Sequence, residues 1–179
     1  MKHACVPVLG FAAHSGTGKT TLLLALIGRL KRDGFRVGVI KHSHHDFDTD
    51  KPGKDSFELR KAGAQQMLVA SRVRTALVTE TDGVTEPRLD DLLRKLDQNA
   101  LDLILVEGFK SAPFPKIELH RPSLGYPLLC LHDRSIIALA SDAPVEVSLP
   151  LPRLDLNRPD QIAAFVLGLL RENNESIAR

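Results

Sequence analysis

The stretch Ala13-His14-Ser15-Gly16-Thr17-Gly18-Lys19-Thr20-Thr21 follows the apolar run 5–12 and leads straight into Leu22-Leu23-Leu24. A buried strand therefore empties through a glycine-bearing loop into a helix. A chain that folds back at Gly16 and Gly18 aims successive backbone amides at one anion, and the helix that follows adds the positive end of its dipole. Lys19 is a mobile cation for the outer phosphates, and Thr20 offers magnesium a hydroxyl ligand. Ser15, Gly16, Thr17, Gly18, Lys19, Thr20 and Thr21 form the candidate phosphate-binding set, with a nucleoside phosphate as the ligand class. The usual pattern has glycine six residues before the lysine, where this chain has Ala13. Alanine can replace glycine wherever the backbone stays at negative φ.

After the loop, Leu23, Leu26, Ile27 and Leu30 recur at helical spacing, and Arg29, Lys31 and Arg32 crowd the last turn before Gly34. This is an amphipathic helix with cations at its negative end and a glycine stop. A short buried strand follows at 35–40, then a polar stretch at 41–54. Asp55 and Glu58 form a capping box for a helix ending near Gly63. Residues 67–70 and 75–79 read as strands, and Leu89, Leu92, Leu93 and Leu96 as a helical stripe. The most strand-like segment is 101–106. Residues 111–131 hold four prolines and no helical period, with 116–120 and 127–131 as edge or hairpin strands. A strand at 136–140, a short one at 154–156 and a closing helix through Ile162, Phe165, Val166, Leu169 and Leu170 complete the chain.

Strands alternating with helices predict an α/β fold of the P-loop NTPase type, a mainly parallel sheet with helices on both faces and ligands at the carboxyl ends of its strands. Residues 1–179 read as one nucleotide-binding domain. The proline-rich middle breaks the rhythm, so a small β extension is expected within 111–135, suited to a partner or dimer contact.

A phosphate loop needs an acidic group for magnesium, usually at the end of a buried strand beside the first. Leu103-Ile104-Leu105-Val106-Glu107-Gly108 fits: Glu107 follows four apolar residues, and Gly108 lets backbone approach the γ-phosphate. Asp102 begins that strand and is the weaker choice. The loop Lys41-His42-Ser43-His44-His45-Asp46-Phe47-Asp48-Thr49-Asp50 allows three readings. It is a switch loop whose Asp46 helps hold magnesium, a transition-metal site, or a solvated loop. A calcium loop is excluded, because Lys51 stands where glycine is needed and Phe57 at the closing glutamate position. For the base, Asp142 after the 136–140 strand is a candidate acceptor. Asn157-Arg158-Pro159-Asp160 echoes a guanine-binding motif with arginine for lysine, but Asn157 followed by Pro159 is also what a helix start looks like, the reading preferred for it.

Lysine plus arginine number 24 against 22 acidic residues, a net charge of +2, so no electrostatic case for nucleic acid or an anionic membrane arises. Cys5 and Cys130 lie in apolar runs and read as small core residues, as in a reducing cytosol. The first 13 residues superficially imitate a signal peptide, but cleavage there would remove the strand that positions the loop. No segment is apolar over the roughly 20 residues a membrane helix needs. A soluble, cytoplasmic protein is expected.

With the phosphate loop, Ile40-Lys41-His42-Ser43-His44-His45-Asp46, Lys51-Pro52-Gly53-Lys54-Asp55-Ser56, Glu58-Leu59-Arg60-Lys61-Ala62-Gly63-Ala64 and Leu103-Ile104-Leu105-Val106-Glu107-Gly108-Phe109-Lys110, the chain resembles the MobB family. These are accessory GTP-binding proteins of molybdopterin-guanine dinucleotide synthesis. The resemblance is strongest up to Lys110. It implies GTP with magnesium, weak GTP hydrolysis, a homodimer, and as partner a MobA-type guanylyltransferase that joins GMP to the pterin of the molybdenum cofactor. Molybdopterin or the molybdenum cofactor itself is a further ligand to consider. Carried onto this chain, residues 16–21 hold phosphate, Thr20 and Glu107 hold magnesium, and an alanine at the loop's start is the family's own. Two other functions compatible with the residues are a P-loop kinase of a small molecule and a nucleotide-gated metallochaperone.

Overall fold

The computed structural model describes residues 1–43, 47–146 and 148–177. The chain divides into two compact units, one made of residues 1–42 with the chain from Leu89 onward, the other of Ser43–Arg88.

The larger unit is built on β1 (Val8–Ala13), α1 (Lys19–Arg32) and β2 (Val37–Lys41), with α3 (Leu89–Leu93), β5 (Leu103–Glu107), β6 (Lys116–His120), β7 (Ile136–Ser141), β8 (Arg153–Asp155) and α4 (Pro159–Ile177) after the smaller unit. Its six strands form one sheet in the order β2-β5-β1-β6-β7-β8, and every pairing is parallel. Parallel strands buried on both faces read as continuous apolar runs, and β5 does so: Leu103 and Leu105 face one layer, Ile104 and Val106 the other. The first layer is packed by Leu22, Leu23, Leu26 and Leu30 of α1 and Ile162, Ala163, Val166 and Leu170 of α4. On the opposite face lie Leu89 and Leu93 of α3 with Phe109 and Phe114. The amino ends of β2 and β5 are joined by a two-pronged pair, Arg36 Nη2 to Asp102 Oδ1 at 2.6 Å and Nε to Oδ2 at 3.1 Å. The hydrogen bonds from Arg36 hold the Asp102 carboxyl down at about 2. Asp102 thus fastens the far edge of the sheet, away from the strands' carboxyl ends.

The smaller unit holds α2 (Asp55–Lys61) and an antiparallel ribbon of β3 (Gln66–Ala70) and β4 (Thr75–Thr79). The Arg60 guanidinium joins it, donating to Asp48 Oδ1 at 2.6 Å and Glu80 Oε1 at 2.7 Å. The ribbon leaves Leu68, Val73 and Leu77 exposed.

Several expectations change. The proline-rich middle is no extension: β6 lies inside the sheet between β1 and β7, and the second expected strand is instead a 3-10 turn, Leu129–Leu131. The separate ribbon comes from 66–79. The capping box does not form, because the helix begins one residue earlier than the box requires: Lys54 occupies the cap, and Glu58 Oε1 accepts from the Gly53 amide at 3.3 Å. Of the stripe at 89–96, only Leu89–Leu93 is helical. Cys5 is exposed, whereas Cys130 is buried. Asn157-Arg158-Pro159-Asp160 is a helix start, with Asp160 drawn to Arg29 Nη1 at 2.8 Å. Among the described residues no helix is long and apolar enough to cross a membrane.

Candidate nucleotide-binding site

The loop between β1 and α1 turns at Gly16 (φ 79°) and Gly18 (φ 95°), and buried Thr17 closes it by donating from Oγ1 to the His14 carbonyl at 2.9 Å. Among the described non-glycine residues only Phe109 has a positive φ. Ala13 therefore sits in ordinary backbone, and its methyl joins the core beside Leu22 and Leu23. Gly18 caps α1 without any side-chain hydrogen bond, and the first turn carries no acidic residue. The opening amides of the helix, which have no partners within it, are left facing the loop with the dipole unopposed.

Register brings the acid to this loop. β5 pairs with β1 so that Glu107 stands beside Phe11, and with β2 so that Glu107 stands beside Lys41. Lys19 Nζ lies 3.7 Å from Glu107 Oε1, and Lys41 Nζ lies 3.8 Å from Oε2. Two cations thus converge on one carboxylate at the mouth of a helix that has no side-chain cap. Gly108 follows at φ 95°, and a Cβ there would come within 2.7 Å of His42 Cβ. Only glycine fits so close an approach in that backbone conformation. The His42 ring in turn stacks on Phe109, centroids 4.6 Å apart.

Ser15 and Gly16 line the open side of the loop, and Thr20 and Thr21 are exposed in the first turn of α1. The expected phosphate residues, Glu107 and Gly108 are thus gathered at the carboxyl ends of neighbouring strands. Asp46, the remaining magnesium candidate, lies outside the described residues, as do His44 and His45.

Asp142 reaches the same end of the sheet from β7, through a residue that sequence reasoning passed over. Arg121 donates from Nε to the Thr17 carbonyl at 2.9 Å and from Nη1 to Asp142 Oδ2 at 2.5 Å. Nearby, the His14 ring stacks on Tyr126 at 4.5 Å, and its Nε2 is 3.2 Å from the Pro127 carbonyl oxygen. Segment 121–127 therefore braces the loop from the side. Placing β6 next to β1 would have pointed to Arg121, since the residue after that strand must lie beside the loop.

Beneath this segment β6 buries Lys116, Glu118 and His120 on one face. Lys116 Nζ donates to the Lys110 and Ala112 carbonyls at 2.9 and 2.7 Å and pairs with Asp133 Oδ2 at 2.8 Å. Glu118 accepts from the Leu129 and Cys130 amides at 2.7 and 2.8 Å. Burial, with the Glu118 carboxylate adding to it, pushes the Cys130 thiol up to about 11. That cysteine is structural, not reactive.

Residues 8–142 match the family model described as MobB, molybdopterin guanine dinucleotide synthesis protein B. The chain belongs to this family. MobB-family relatives include the Molybdopterin-guanine dinucleotide biosynthesis adapter protein of Escherichia coli K12, 51% identical over 94% of this chain and 96% of that one. The adapter protein of the same name from Haemophilus influenzae is 45% identical over 90% of this chain and 88% of its own. A crystal structure of a MobB homolog from Bacillus stearothermophilus superposes with a TM-score of 0.69 at 27% identity, covering 92% of this chain and 98% of that chain. A second MobB crystal structure gives 0.71, also at 27% identity, over 92% and 99%. The family match spans the phosphate loop, β5 with its terminal glutamate, β6 and the Asp142 corner together.

Proposed function

We propose that this MobB-family chain is an adapter in molybdopterin-guanine dinucleotide synthesis that binds GTP with magnesium and supports guanylyl transfer by a MobA-type guanylyltransferase. The convergence of Lys19 and Lys41 on Glu107, at the start of α1 where no side chain caps the helix, is the observation that carries the reading. Cations and an acid held at one anion-ready helix end suit a triphosphate and a divalent metal far better than either alone.

In this reading the amides of residues 16–21 bind the phosphates and Lys19 leaves Glu107 for the β and γ oxygens. The Thr20 hydroxyl and Glu107 would hold magnesium, with Asp46 a further candidate ligand, and the ion would neutralise charge on the outer phosphates. Asp142 meets the base. Among the described residues at the loop, Arg121 is already committed to Thr17 and Asp142, so GTP hydrolysis without a partner is slow. The exposed Leu68, Val73 and Leu77 of the β3–β4 ribbon support a protein contact there, with a second copy or the transferase.

The test is a reconstituted guanylyl transfer onto molybdopterin at limiting GTP. Adding the wild-type chain is expected to raise product formation severalfold, and adding Lys19→Ala to leave it at the basal level. Equal stimulation by both would overturn the reading. So would GTP-dependent phosphorylation of a small acceptor in place of transfer, which is the behaviour of a kinase.

A further inference from the structure

Arg121 stands where three loops meet. β6 lies between β1 and β7, and His120 pairs in register with Ser141. The next residue along, Arg121, is therefore set between the phosphate loop after β1 and the Asp142 corner after β7. Its guanidinium grips both: Nε holds the Thr17 carbonyl, Nη1 holds Asp142 Oδ2, and Nη2 lies 3.5 Å from where a Cβ on Gly18 would stand. The other carboxylate oxygen, Asp142 Oδ1, is buried and has no hydrogen-bond partner among the described residues. A buried acceptor without a donor is costly, and native structures keep few of them outside functional positions.

Clamped through one oxygen, the Asp142 carboxylate cannot turn to satisfy the other. That oxygen is left as a fixed acceptor without a donor among the described residues, and Oδ2 keeps a second lone pair. The complement is a pair of adjacent N–H donors. The N1–H and 2-amino group of guanine supply both, hypoxanthine supplies only N1–H, and adenine offers an acceptor at N1 with no 2-amino group. Resting on the reading of the site as a guanine-nucleotide site, we propose that Arg121 is the positioning residue for base selection. It locks Asp142 in the orientation that accepts from a 2-amino-6-oxopurine, and ties that carboxylate to the phosphate loop so that base and phosphate are read as one unit.

The experiment is calorimetric titration of the full chain with GTP, ITP and ATP, all with magnesium, on wild type, Arg121→Gln, Arg121→Lys and Asp142→Asn. Thermal melting reports whether each variant is folded. Wild type should prefer GTP over ITP by about tenfold, the worth of one charge-assisted hydrogen bond. Arg121→Gln should bring that ratio close to one while ITP affinity changes little, Asp142→Asn should do the same, and Arg121→Lys should recover part of it. An equal loss for all three nucleotides in Arg121→Gln and Arg121→Lys would make Arg121 a support of the phosphate loop only, and would overturn the inference. An unchanged GTP to ITP ratio in either the Arg121→Gln or the Asp142→Asn variant would do likewise. Wild type binding ATP as tightly as GTP would contradict the guanine-nucleotide reading itself, a result distinct from a failure of Arg121 alone.

Discussion

Lys19→Ala is expected to weaken GTP binding at least about a hundredfold, equivalent to about 2.7 kcal/mol. A charge-assisted hydrogen bond contributes about 1.5–3 kcal/mol, and in the proposed site Lys19 would serve two phosphate groups at a helix end where its side chain is 19% exposed. The variant should remain folded. Glu107 keeps Lys41 at 3.8 Å as its second cation, and no core side chain is removed. Stability readings separate the two effects, because a ligand that binds only the native state stabilises it according to its concentration over Kd. Saturating GTP should raise the melting temperature of wild type and leave Lys19→Ala almost unmoved, with both melting together in its absence. An intact GTP response in the variant would remove Lys19 from the site.

Lys116→Ala carries the second large effect, on stability. The Lys116 side chain is 1% exposed and is the sole cation paired with Asp133 among the described contacts, so its loss leaves a partly buried carboxylate with Ser135 as its remaining donor and withdraws a donor from two carbonyls. Breaking one partner of a fully buried ion pair costs about 3–5 kcal/mol; with Asp133 29% exposed, Lys116→Ala is expected at the lower end, about 3 kcal/mol, still a large part of the 5–15 kcal/mol that typically holds a domain folded. The stem matters too, since Gly10 lacks a side chain where a Cβ would stand 2.6 Å from Lys116 Cγ. Lys116→Met, which keeps that packing, should cost less, and adding Asp133→Asn should recover part of the remainder. The acid limb should also respond. Burial opposes ionisation of Asp133, but hydrogen bonds from Lys116 and Ser135 outweigh it and hold its carboxyl below the ordinary value. A depressed carboxyl contributes stability above its unfolded pKa and loses it as pH falls through the folded one. The penalty of Lys116→Met should thus be largest near neutrality and shrink on acidification, as urea unfolding at several pH values would show. A penalty below about 1 kcal/mol at neutral pH, set against the range expected for such a pair, would mean that Lys116 is dispensable to the brace beneath segment 110–133.

These two lysines mark the limits of what local sequence reveals. Lys19 was legible because loop chemistry is local: two glycines, a lysine and two threonines fall within a few residues, between an apolar strand and an amphipathic helix. Glu107 was legible for a related reason, as the first charge after four apolar residues in a strand buried on both faces. Lys116 was not. Lys116-Ile117-Glu118-Leu119-His120 alternates polar with apolar, which ordinarily signals a strand with one wet face. Its polar face is instead covered by the chain on either side, and what satisfies it, the Lys110 and Ala112 carbonyls, Asp133 and the Leu129 and Cys130 amides, comes together only in three dimensions. Misplacing β6 at an edge also hid Arg121, whose relation to Thr17 and Asp142 depends on β6 lying between β1 and β7. At Asp55 and Glu58 the motif was present, but a one-residue shift in the helix start sent the glutamate to the Gly53 amide instead.

The loop from Ser15 to Thr21, with Glu107, is proposed as a magnesium-dependent GTP site. Calorimetric titration of the wild-type chain with GTP and ATP, each with magnesium and with chelator, tests it most directly. One GTP should bind per chain, its affinity falling at least about tenfold when magnesium is removed, since charge on the outer phosphates is then left to Lys19 and the amides alone, and ATP should bind more weakly than GTP under both conditions. ATP binding as tight as GTP, or GTP binding indifferent to magnesium, would contradict it.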